Sequence, residues 1–412
     1  MQIIYNTSVW AYALGIRLAA LFNSKARLWV FGRKNIFSKI ANTIPKDEKL
    51  IWFHCASLGE FEQGRPVIES FRENFKDHKI LLTFFSPSGY EVRKNYEQAD
   101  YIFYLPLDTP KNAKQFIVLT KPRLAIFVKY EFWFNYLNEL SKNKIPLLMI
   151  SVIFRPSQHF FKPWGGWFRK QLQKVTFFFV QNEASIELLN SAKVFHAEVS
   201  GDTRFDRVLQ LPSEETKLPL IEKFADNLPL LIAGSTWSAD EDILKALLLQ
   251  SEHKFKMVVA PHIVSKDHIQ QLLDKFKEWQ PLLFSEQKNA NPADSRIMII
   301  DSIGMLSHIY RYGKIAYIGG GFGVGIHNVL EAATYGLPVI FGPNYQRFQE
   351  AVELSRLGGG FPINNGNDCL EVFNRLMNNE GLLQQSSEIA RNYVIENAGA
   401  TASVLGKAKE YL

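Results

Sequence analysis

Cysteine is scarce in this chain of 412 residues, and so are the residue clusters that bind metals. The only two cysteines, Cys55 and Cys369, make no disulfide framework and fit a reducing compartment. Neither the ligand spacing of a zinc site nor an EF-hand loop occurs, so we expect no metal site and no cofactor. No nucleic-acid-binding module is present, and no solenoid repeat. These absences exclude a disulfide-stapled, zinc-binding or nucleic-acid-binding protein.

The sequence also lacks an uninterrupted apolar run of the ~20 residues that a membrane-spanning helix requires. The most apolar segment, residues 3–22, is interrupted by Gly15 and Arg17, and a charge at bilayer depth is costly. A basic, aromatic segment follows at residues 25–34. We therefore expect residues 1–45 to form a membrane-associated helical segment that lies at the lipid headgroups. The alternative is an ordinary amphipathic helix packed on the following domain.

Length and charge narrow the class of protein further. A chain of 412 residues exceeds one typical hydrophobic core, so two domains are expected. The formal charge is +6 and the pI is near 9.0, a mild basic excess. Such an excess favours an anionic partner, for example a phosphorylated or membrane-bound substrate.

From residue 50 onward, short apolar runs alternate with amphipathic stretches. The predicted strands are 50–54, 80–85, 101–105, 124–128, 147–151, 177–180, 230–234, 256–260, 281–284, 297–300, 315–318 and 338–341. One helix is predicted at residues 109–119, with Asp108 as its N-cap. The alternation predicts α/β architecture, in which parallel sheets are covered by helices on both faces.

The alternation of strands and helices is interrupted once, and it is present on both sides of the interruption. Residues 209–220 contain Pro212, Pro219 and several acidic residues. We predict two doubly wound, Rossmann-like domains that face a cleft. The predicted boundaries are 1–45 for the N-terminal helical segment, 46–208 for the first domain, 209–385 for the second domain and 386–412 for a helical tail.

The glycine-rich stretch at residues 315–346 is the most informative part of the second domain. It predicts a strand, a loop that includes Gly320, a helix starting near His327 and a second strand. Glycines let backbone amides approach a ligand, and a helix N-terminus favours an anion such as a phosphate. Asn328 and Glu331 would lie at that helix start. The alternative is a glycine-rich turn that binds nothing.

Polar loops follow the other predicted strands, and ligands of α/β proteins bind at that edge of the sheet. Glu60 follows the first strand, Glu131 follows the fourth, and Arg204 precedes the break between the domains. In the second domain the loops contain Ser235, Pro261 with His262, and residues 301–306. A single glutamate at a helix start often only complements the helix dipole, and the aromatic Trp133 beside Glu131 suggests core packing. Two carboxylates on one cleft would instead permit general-base chemistry.

The ordered motifs resemble one family. HCASLGE, KYEFWFN, GDTRFD, GSTWSADE, APH, DSIGML and GGGFGVGIHNVLEAATYGLPVIFGP are similar to motifs of the 3-deoxy-D-manno-oct-2-ulosonic acid (Kdo) transferases of lipopolysaccharide biosynthesis. The resemblance covers residues 1 to about 400. It implies a GT-B fold with the donor CMP-Kdo bound mainly by the second domain. The implied acceptor is lipid IVA, the lipid A precursor, at the cytoplasmic face of the bacterial inner membrane. The implied reaction inverts the anomeric centre and needs no metal.

The resemblance also implies roles for particular residues. Glu60 matches the family's general base, and Glu131 and Arg204 match two positions that stabilise the transition state. The positions that match CMP-binding segments are Pro261, His262, Gly304, Met305, Leu306, Asn328, Val329, Leu330 and Glu331. Ser235 and Gly320, at neighbouring strand ends, are also expected to bind substrate.

Four positions differ from the family pattern. Arg204 replaces a common lysine, and Lys129 replaces a frequent acidic residue. His262 takes the place of an arginine, and Met305 that of a frequent glutamate. None of these changes affects the expected base. Two alternatives remain open: a GT-B enzyme or epimerase that uses a UDP-sugar, and a membrane-attached nucleotide-sugar-binding protein without activity.

Overall fold

The chain folds around two parallel sheets, each of seven strands. The structure is a computed structural model that describes residues 1–214, 217–286 and 292–412. It divides into a first unit, residues 1–207 together with 398–412, and a second unit, residues 208–397. Each unit contains one sheet, so each has its own hydrophobic core.

The first unit is doubly wound. Its strands are β1 (Leu50–Cys55), β2 (Lys79–Phe84), β3 (Tyr101–Tyr104), β4 (Leu124–Val128), β5 (Leu147–Val152), β6 (Phe177–Val180) and β7 (Ala197–Val199). Its helices are α1 (Gln2–Ala19), α2 (Ser24–Gly32), α3 (Ile36–Thr43), α4 (Leu58–Asn74), α5 (Pro87–Arg93), α6 (Pro110–Thr120), α7 (Phe134–Lys142), α8 (Gly166–Leu172), α9 (Glu183–Ser191) and α10 (Thr203–Gln210). The strand order is β3-β2-β1-β4-β5-β6-β7, which reverses direction between β1 and β4. Ligands of such sheets bind beside that reversal, at the carboxyl ends of the strands.

The second unit is also doubly wound, with a parallel sheet of seven strands. Its strands are β8 (Leu230–Thr236), β9 (Lys256–Pro261), β10 (Leu282–Leu283), β11 (Ile297–Ile299), β12 (Ile315–Ile318), β13 (Val339–Phe341) and β14 (Gly360–Pro362). Its helices are α11 (Pro219–Ala225), α12 (Ser238–Gln250), α13 (Lys266–Lys275), α14 (Leu306–Ile309), α15 (Leu330–Ala333), α16 (Gln349–Leu357), α17 (Gly366–Asn378) and α18 (Glu380–Asn397). The order β10-β11-β9-β8-β12-β13-β14 reverses between β8 and β12.

The prediction of two doubly wound α/β sheets is confirmed. All twelve predicted strands are present, because their apolar runs are buried on both faces of a parallel sheet. Two further strands were not predicted, β7 and β14. Each has three residues, pairs with one neighbour only, and carries too short an apolar pattern to be recognised.

The prediction that Asp108 caps the helix after β3 is wrong. Thr109 caps α6, because its hydroxyl oxygen accepts a hydrogen bond from the Asn112 amide (3.3 Å). Asp108 is fully buried and instead accepts the amides of Asn135 and Tyr136, each at 3.1 Å, in the first turn of α7. The Tyr5 hydroxyl also donates to Asp108, which attaches α1 to the first unit.

The C-terminal residues return to the first unit. The helix α19 (Ala400–Ala408) packs against α4, and Val404 and Ala408 enter the core beside β1. Asp206 accepts the amides of Gly399 (2.6 Å) and Thr401 (2.8 Å), so it caps this helix. The preceding helix α18 remains with the second unit.

Within the described parts of the chain, every helix is too short or too polar to cross a bilayer. The most apolar helix, α1, contacts α2, and only Val9 and Ala13 of its side chains are buried. Several of its large apolar residues are exposed, among them Ile3, Trp10 and Leu14.

Replacing Asp108 by alanine should destabilise the first unit. The change leaves two buried amides without an acceptor, which costs about 1–3 kcal/mol for each unpaired group. Burial raises the pKa of Asp108 to about 6, so the folded protein binds this proton more tightly than the unfolded chain does. The stability contributed by the aspartic acid is therefore greatest below pH 4 and is lost as the pH rises through 6. Urea unfolding should show a larger loss of free energy for Asp108→Ala at pH 4.5 than at pH 7.5.

The matched control is Asp47→Ala, which changes an exposed aspartate of the same unit. It should alter the unfolding free energy little at either pH. An Asp108→Ala variant as stable as the control, or a loss independent of pH, would contradict this account of Asp108.

Candidate active site

Glu60 lies in the first turn of α4, directly after the central strand β1. Ser57 has extended backbone angles (φ −139°, ψ 176°), and the helix begins at the next residue. The Ser57 hydroxyl donates to Glu60 Oε2 at 2.7 Å, which fixes the carboxylate in place. Gly64 lets α4 approach the sheet closely, since a Cβ there would lie 3.1 Å from Cys55 Sγ. The carboxylate is thus held at the carboxyl edge of the sheet.

The surroundings of Glu60 make it a stronger base than an exposed glutamate. Burial raises its pKa, and the negative charge of Glu131 raises it further. The hydrogen bond from Ser57 and the nearby His54 act in the opposite direction without cancelling the rise. The effect of Glu131 on the pKa of Glu60 places the two carboxylates within electrostatic range of each other.

Glu131 follows β4 and is held by two aromatic side chains. The Trp133 indole N–H donates to Glu131 Oε2 at 2.6 Å and lies 3.0 Å from His54 Nε2. His54 Nε2 is itself 3.4 Å from the same carboxylate oxygen. His54 is fully buried, and its other ring nitrogen is 2.9 Å from the Thr83 hydroxyl. This network orients the second carboxylate.

Trp133 therefore does more than the predicted core packing. Its ring packs against Phe85, with ring centres 4.6 Å apart, as expected of a core residue. The polar edge of the ring nevertheless faces Glu131. Sequence reasoning missed this role and that of His54, because the two residues are 79 positions apart and meet only across neighbouring strands.

Arg204 is fixed by a buried carboxylate. Its Nε and its backbone amide both donate to Asp202, each at 2.9 Å. Asp202 is 5% exposed and also accepts from the side-chain amides of Gln63 (3.0 Å) and Gln181 (3.0 Å). The side chain of Arg204 is about one-third exposed.

The pKa of the Tyr130 hydroxyl is affected by the charges of both Arg204 and Glu60. Burial raises the pKa of its hydroxyl, Asp202 and Glu60 raise it further, and Arg155 and Arg204 lower it. Tyr130 therefore lies within electrostatic range of both Glu60 and Arg204. The three predicted catalytic residues, Glu60, Glu131 and Arg204, all belong to the first unit.

Two residues of this region have left-handed backbone angles that non-glycine residues seldom adopt. Lys129, after β4, has φ of 63°, and Ser151, in β5, has φ of 53°. Such angles persist where the surrounding structure enforces them, often at functional sites. The Ser151 hydroxyl lies 2.8 Å from the Thr203 hydroxyl, and Thr203 donates to the Gln63 carbonyl at 2.6 Å. These contacts hold the segment that carries Arg204.

In the second unit, three aromatic rings stack at the ends of β8, β9 and β12. The rings of Trp237 and His262 are 4.7 Å apart, and those of His262 and His327 are 4.4 Å apart. The Trp237 indole N–H donates to His327 Nε2 at 3.2 Å. Burial lowers the pKa of His327, and His262 lowers it further, which favours a neutral ring. The predicted binding residue His262 is thus the centre of the stack.

The glycine-rich loop is held by Asp240. This buried carboxylate accepts hydrogen bonds from the amides of Trp237 and Gly320 and from the Tyr317 hydroxyl, each at 2.9 Å. Gly320 has φ of +92°, which favours glycine, and Ser235 across the strands has φ of 54°. The loop glycines therefore let strand ends approach each other closely, in addition to any role in ligand binding.

The prediction of a helix starting near His327 is wrong. The helical segment begins at Leu330 and has only four residues. Asn328 explains the late start, because its side-chain oxygen accepts the Leu330 amide (3.1 Å) and its NH₂ donates to Glu331 (3.0 Å). Such local bonds compete with helix formation. A helix of four residues provides no extended dipole that would bind a phosphate here.

Two of the remaining predicted binding residues, Pro261 and Leu306, lie beside β8. Pro261 ends β9 and pairs with Thr236. Leu306, which begins α14 after Gly304 and Met305, packs near Gly234, where a Cβ would lie 2.9 Å from Leu306 Cδ2. The residues that the structure places in the second unit are Ser235, Pro261, His262, Gly304, Met305, Leu306, Gly320, Asn328, Val329, Leu330 and Glu331. Among the described residues, no cluster of His, Cys, Asp and Glu could hold a metal ion.

Comparison with known proteins shows sequence similarity to one group of enzymes. Residues 31–207 match the model of a family described as 3-deoxy-D-manno-octulosonic-acid transferase (kdotransferase). The 3-deoxy-D-manno-octulosonic acid transferase of Aquifex aeolicus is 27% identical over 334 residues, which cover 79% of this chain and 86% of that protein. The enzyme of the same name from Haemophilus influenzae is 25% identical and covers 88% of this chain and 87% of that protein.

A longer relative is a bifunctional glycosyltransferase/methyltransferase of Fusobacterium nucleatum. It is 25% identical over 88% of this chain, and the match spans 57% of its own length. Among solved structures, a UDP-GlcNAc 2-epimerase of Neisseria meningitidis has a TM-score of 0.63 and 16% identity, with 88% of this chain and 100% of that chain covered. A glycosyltransferase of Rickettsia africae has a TM-score of 0.58 and 13% identity, with 89% and 99% covered. At these identities the structural likeness shows the fold alone.

The two doubly wound sheets have the architecture of the GT-B fold. The similarity to 3-deoxy-D-manno-octulosonic acid transferases indicates a glycosyltransferase, and this similarity extends over most of the chain.

Replacing Gly319 by alanine should destabilise the second unit. The added Cβ would lie 2.3 Å from the Ser235 carbonyl oxygen and 2.7 Å from Thr236 Cα, and neither backbone atom can move freely. Overpacking of this kind costs about 1–3 kcal/mol. The control is Gly323→Ala in the same loop, where the nearest atom is 3.5 Å away. Thermal unfolding should show a lower midpoint for Gly319→Ala only, and equal midpoints would contradict the close approach of β8 and β12.

Proposed function

We propose that this protein transfers Kdo from CMP-Kdo to lipid IVA, with inversion of the anomeric centre. The observation that carries the proposal is the pair of carboxylates, Glu60 and Glu131, which share one electrostatic environment in the unit that also contains Arg204. The names of its relatives and the ordered sequence motifs supply the donor sugar. The lipid acceptor and the inversion follow from the resemblance to the family.

Glu60 is the proposed general base. It takes the proton of the acceptor's primary hydroxyl while that oxygen forms a bond to the anomeric carbon of Kdo. The bond from that carbon to the CMP phosphate oxygen breaks in the same displacement, and CMP leaves with the electron pair. A carboxylate with raised proton affinity suits this step, because general bases work best when their pKa approaches the operating pH.

Glu131 and Arg204 support the transition state in this scheme. Glu131 keeps the pKa of Glu60 high, and its own position is set by Trp133 and His54. Arg204 supplies the positive charge for the phosphate that leaves with CMP. Its rigid attachment to Asp202 reduces the reorganisation that this requires.

We assign CMP-Kdo binding to the second unit. The stack of Trp237, His262 and His327 presents a partly exposed aromatic surface beside the strained Ser235. Aromatic surfaces of this kind suit the flat base of a nucleotide. Asn328, which follows His327 in the chain, and Glu331, to which it donates a hydrogen bond, offer polar groups for the ribose or the sugar.

The N-terminal helices are proposed to lie on the cytoplasmic face of the inner membrane. Residues 1–46 contain seven lysines and arginines and no aspartate or glutamate. Several large apolar side chains of α1, of α2 and of the turn between them are exposed, and Ile3 and Phe22 are 81% and 91% exposed. An exposed apolar surface with unopposed positive charge suits an anionic bilayer.

Glu60→Gln should abolish transfer. The amide cannot accept the proton, so the turnover number should fall about 100- to 10,000-fold. The measurement is a thin-layer assay with lipid IVA in detergent and CMP-Kdo generated in the reaction. The control is Glu62→Gln, in which a glutamate of the same helix that pairs with Arg93 is changed. It should retain near-normal turnover.

CMP should raise the melting temperature of the wild type and of Glu60→Gln alike, since the base does not bind the nucleotide. Turnover retained in Glu60→Gln would contradict the assignment of the base. Stabilisation by UDP and not by CMP would favour the alternative of a UDP-sugar enzyme.

A further inference from the structure

A cavity of about 640 Å³ lies among the three N-terminal helices and the segment that follows β3. Its apolar walls include Trp10, Ala13, Trp29, Phe31, Phe37 and Leu107. All of these residues belong to the first unit. Specific pockets for small ligands range from about 300 to 1,000 Å³, so this volume suits one molecule and not a patch of bilayer.

The charged residues of the cavity are all positive. Arg17, Arg33 and Lys34 line it, and none of its lining residues is acidic. The side chains of Arg17 and Lys34 are exposed at its edge, and neither forms an ion pair in the described part of the chain. Residues 1–46 carry no carboxylate, so this positive charge is not balanced within the N-terminal segment itself.

Arg33 makes the floor of the cavity rigid. It donates to the backbone carbonyls of Phe85 (2.6 Å) and Leu105 (2.9 Å), and its guanidinium lies 4.0 Å above the Trp29 ring. Burial lowers its pKa to about 9, so it remains charged at pH 7. A partly buried cation without a carboxylate partner favours an anionic ligand nearby.

We propose that this cavity binds a single phosphate-bearing lipid, with an acyl chain against the aromatic walls and the phosphate between Arg17 and Lys34. A free inorganic anion would leave the apolar walls unused, and a neutral lipid would leave the cations unpaired. Trp10 and Phe31, at 56% and 61% exposed, belong both to the cavity wall and to the outward apolar surface of the helices. A lipid can therefore enter from a membrane on which these helices lie.

The cavity is connected by direct contacts to the candidate active site. Trp29 contacts Phe85 edge to face, with ring centres 5.8 Å apart. Phe85 packs against Trp133, which donates to Glu131. The phosphate-bearing lipid thus has two possible sources, the acceptor of the proposed reaction or a phospholipid of the bilayer. Only the first source rests on the proposed function.

The test measures binding of a soluble lipid directly, without CMP-Kdo. Dihexanoyl phosphatidic acid, kept below its micelle-forming concentration, is titrated calorimetrically into the full-length wild type and two double variants. Arg17→Glu with Lys34→Glu reverses the two cations of the cavity edge. Lys25→Glu with Lys39→Glu makes the same change in net charge at exposed positions outside the cavity.

The wild type should bind one molecule of lipid. Reversal at the cavity edge should weaken binding about tenfold or more, and the control pair should bind as the wild type does. Ala13→Phe, which fills the cavity from a buried position, should also weaken binding if the variant folds. Equal weakening by both double variants, or equal affinity for inorganic phosphate and the lipid, would overturn the proposal.

Competition then identifies the source of the lipid. If lipid IVA in neutral detergent displaces the phosphatidic acid, the cavity holds the acceptor. If both bind together, the cavity holds a bilayer phospholipid. Failure of the transfer assay would leave this binding result unchanged, so the two proposals fail separately.

Discussion

The electrostatic coupling of Glu60 and Glu131 is the interaction on which the account of the active site depends. Two carboxylates placed in one partly buried environment each make ionisation of the other less favourable. In this chain the effect appears at Glu60, whose proton affinity is raised by burial and by Glu131. A glutamate at a helix start would otherwise be a weak base, because the helix dipole and Ser57 both favour its charged form.

The sheet determines where these carboxylates lie. β1 and β4 are neighbours at the reversal of strand order, so the residues that follow them emerge side by side. Trp133 and His54 then fix Glu131, and Asp202 fixes Arg204. The strained backbone of Lys129 and Ser151 is concentrated at the same edge. Rigid positioning of this kind is what electrostatic catalysis requires, since the groups need not reorganise during the reaction.

Much of this arrangement could be predicted from the sequence, and the failures have physical causes. Continuous apolar runs mark buried parallel strands, so Glu60 and Glu131 could be placed at strand ends. The helix expected near His327 does not form there, because the side-chain oxygen of Asn328 accepts a hydrogen bond from the Leu330 amide. Asp108 could not be distinguished from Thr109 as a cap, because its partners, Tyr5 and the amides of α7, are distant in sequence. The hydrogen bond from Trp133 to Glu131 depends on side-chain orientation, which periodicity does not reveal.

The pKa of the Glu60 carboxyl group, measured by carbon-13 NMR, tests the central claim most directly. The wild type and Glu131→Gln should be titrated without substrates, with Glu60→Gln to assign the resonance. The wild-type pKa should lie above the ordinary glutamate value of about 4.3, and the pKa in Glu131→Gln should be lower than in the wild type. An ordinary pKa in the wild type, or one that Glu131→Gln leaves unchanged, would contradict the claim that burial and Glu131 together make Glu60 the base.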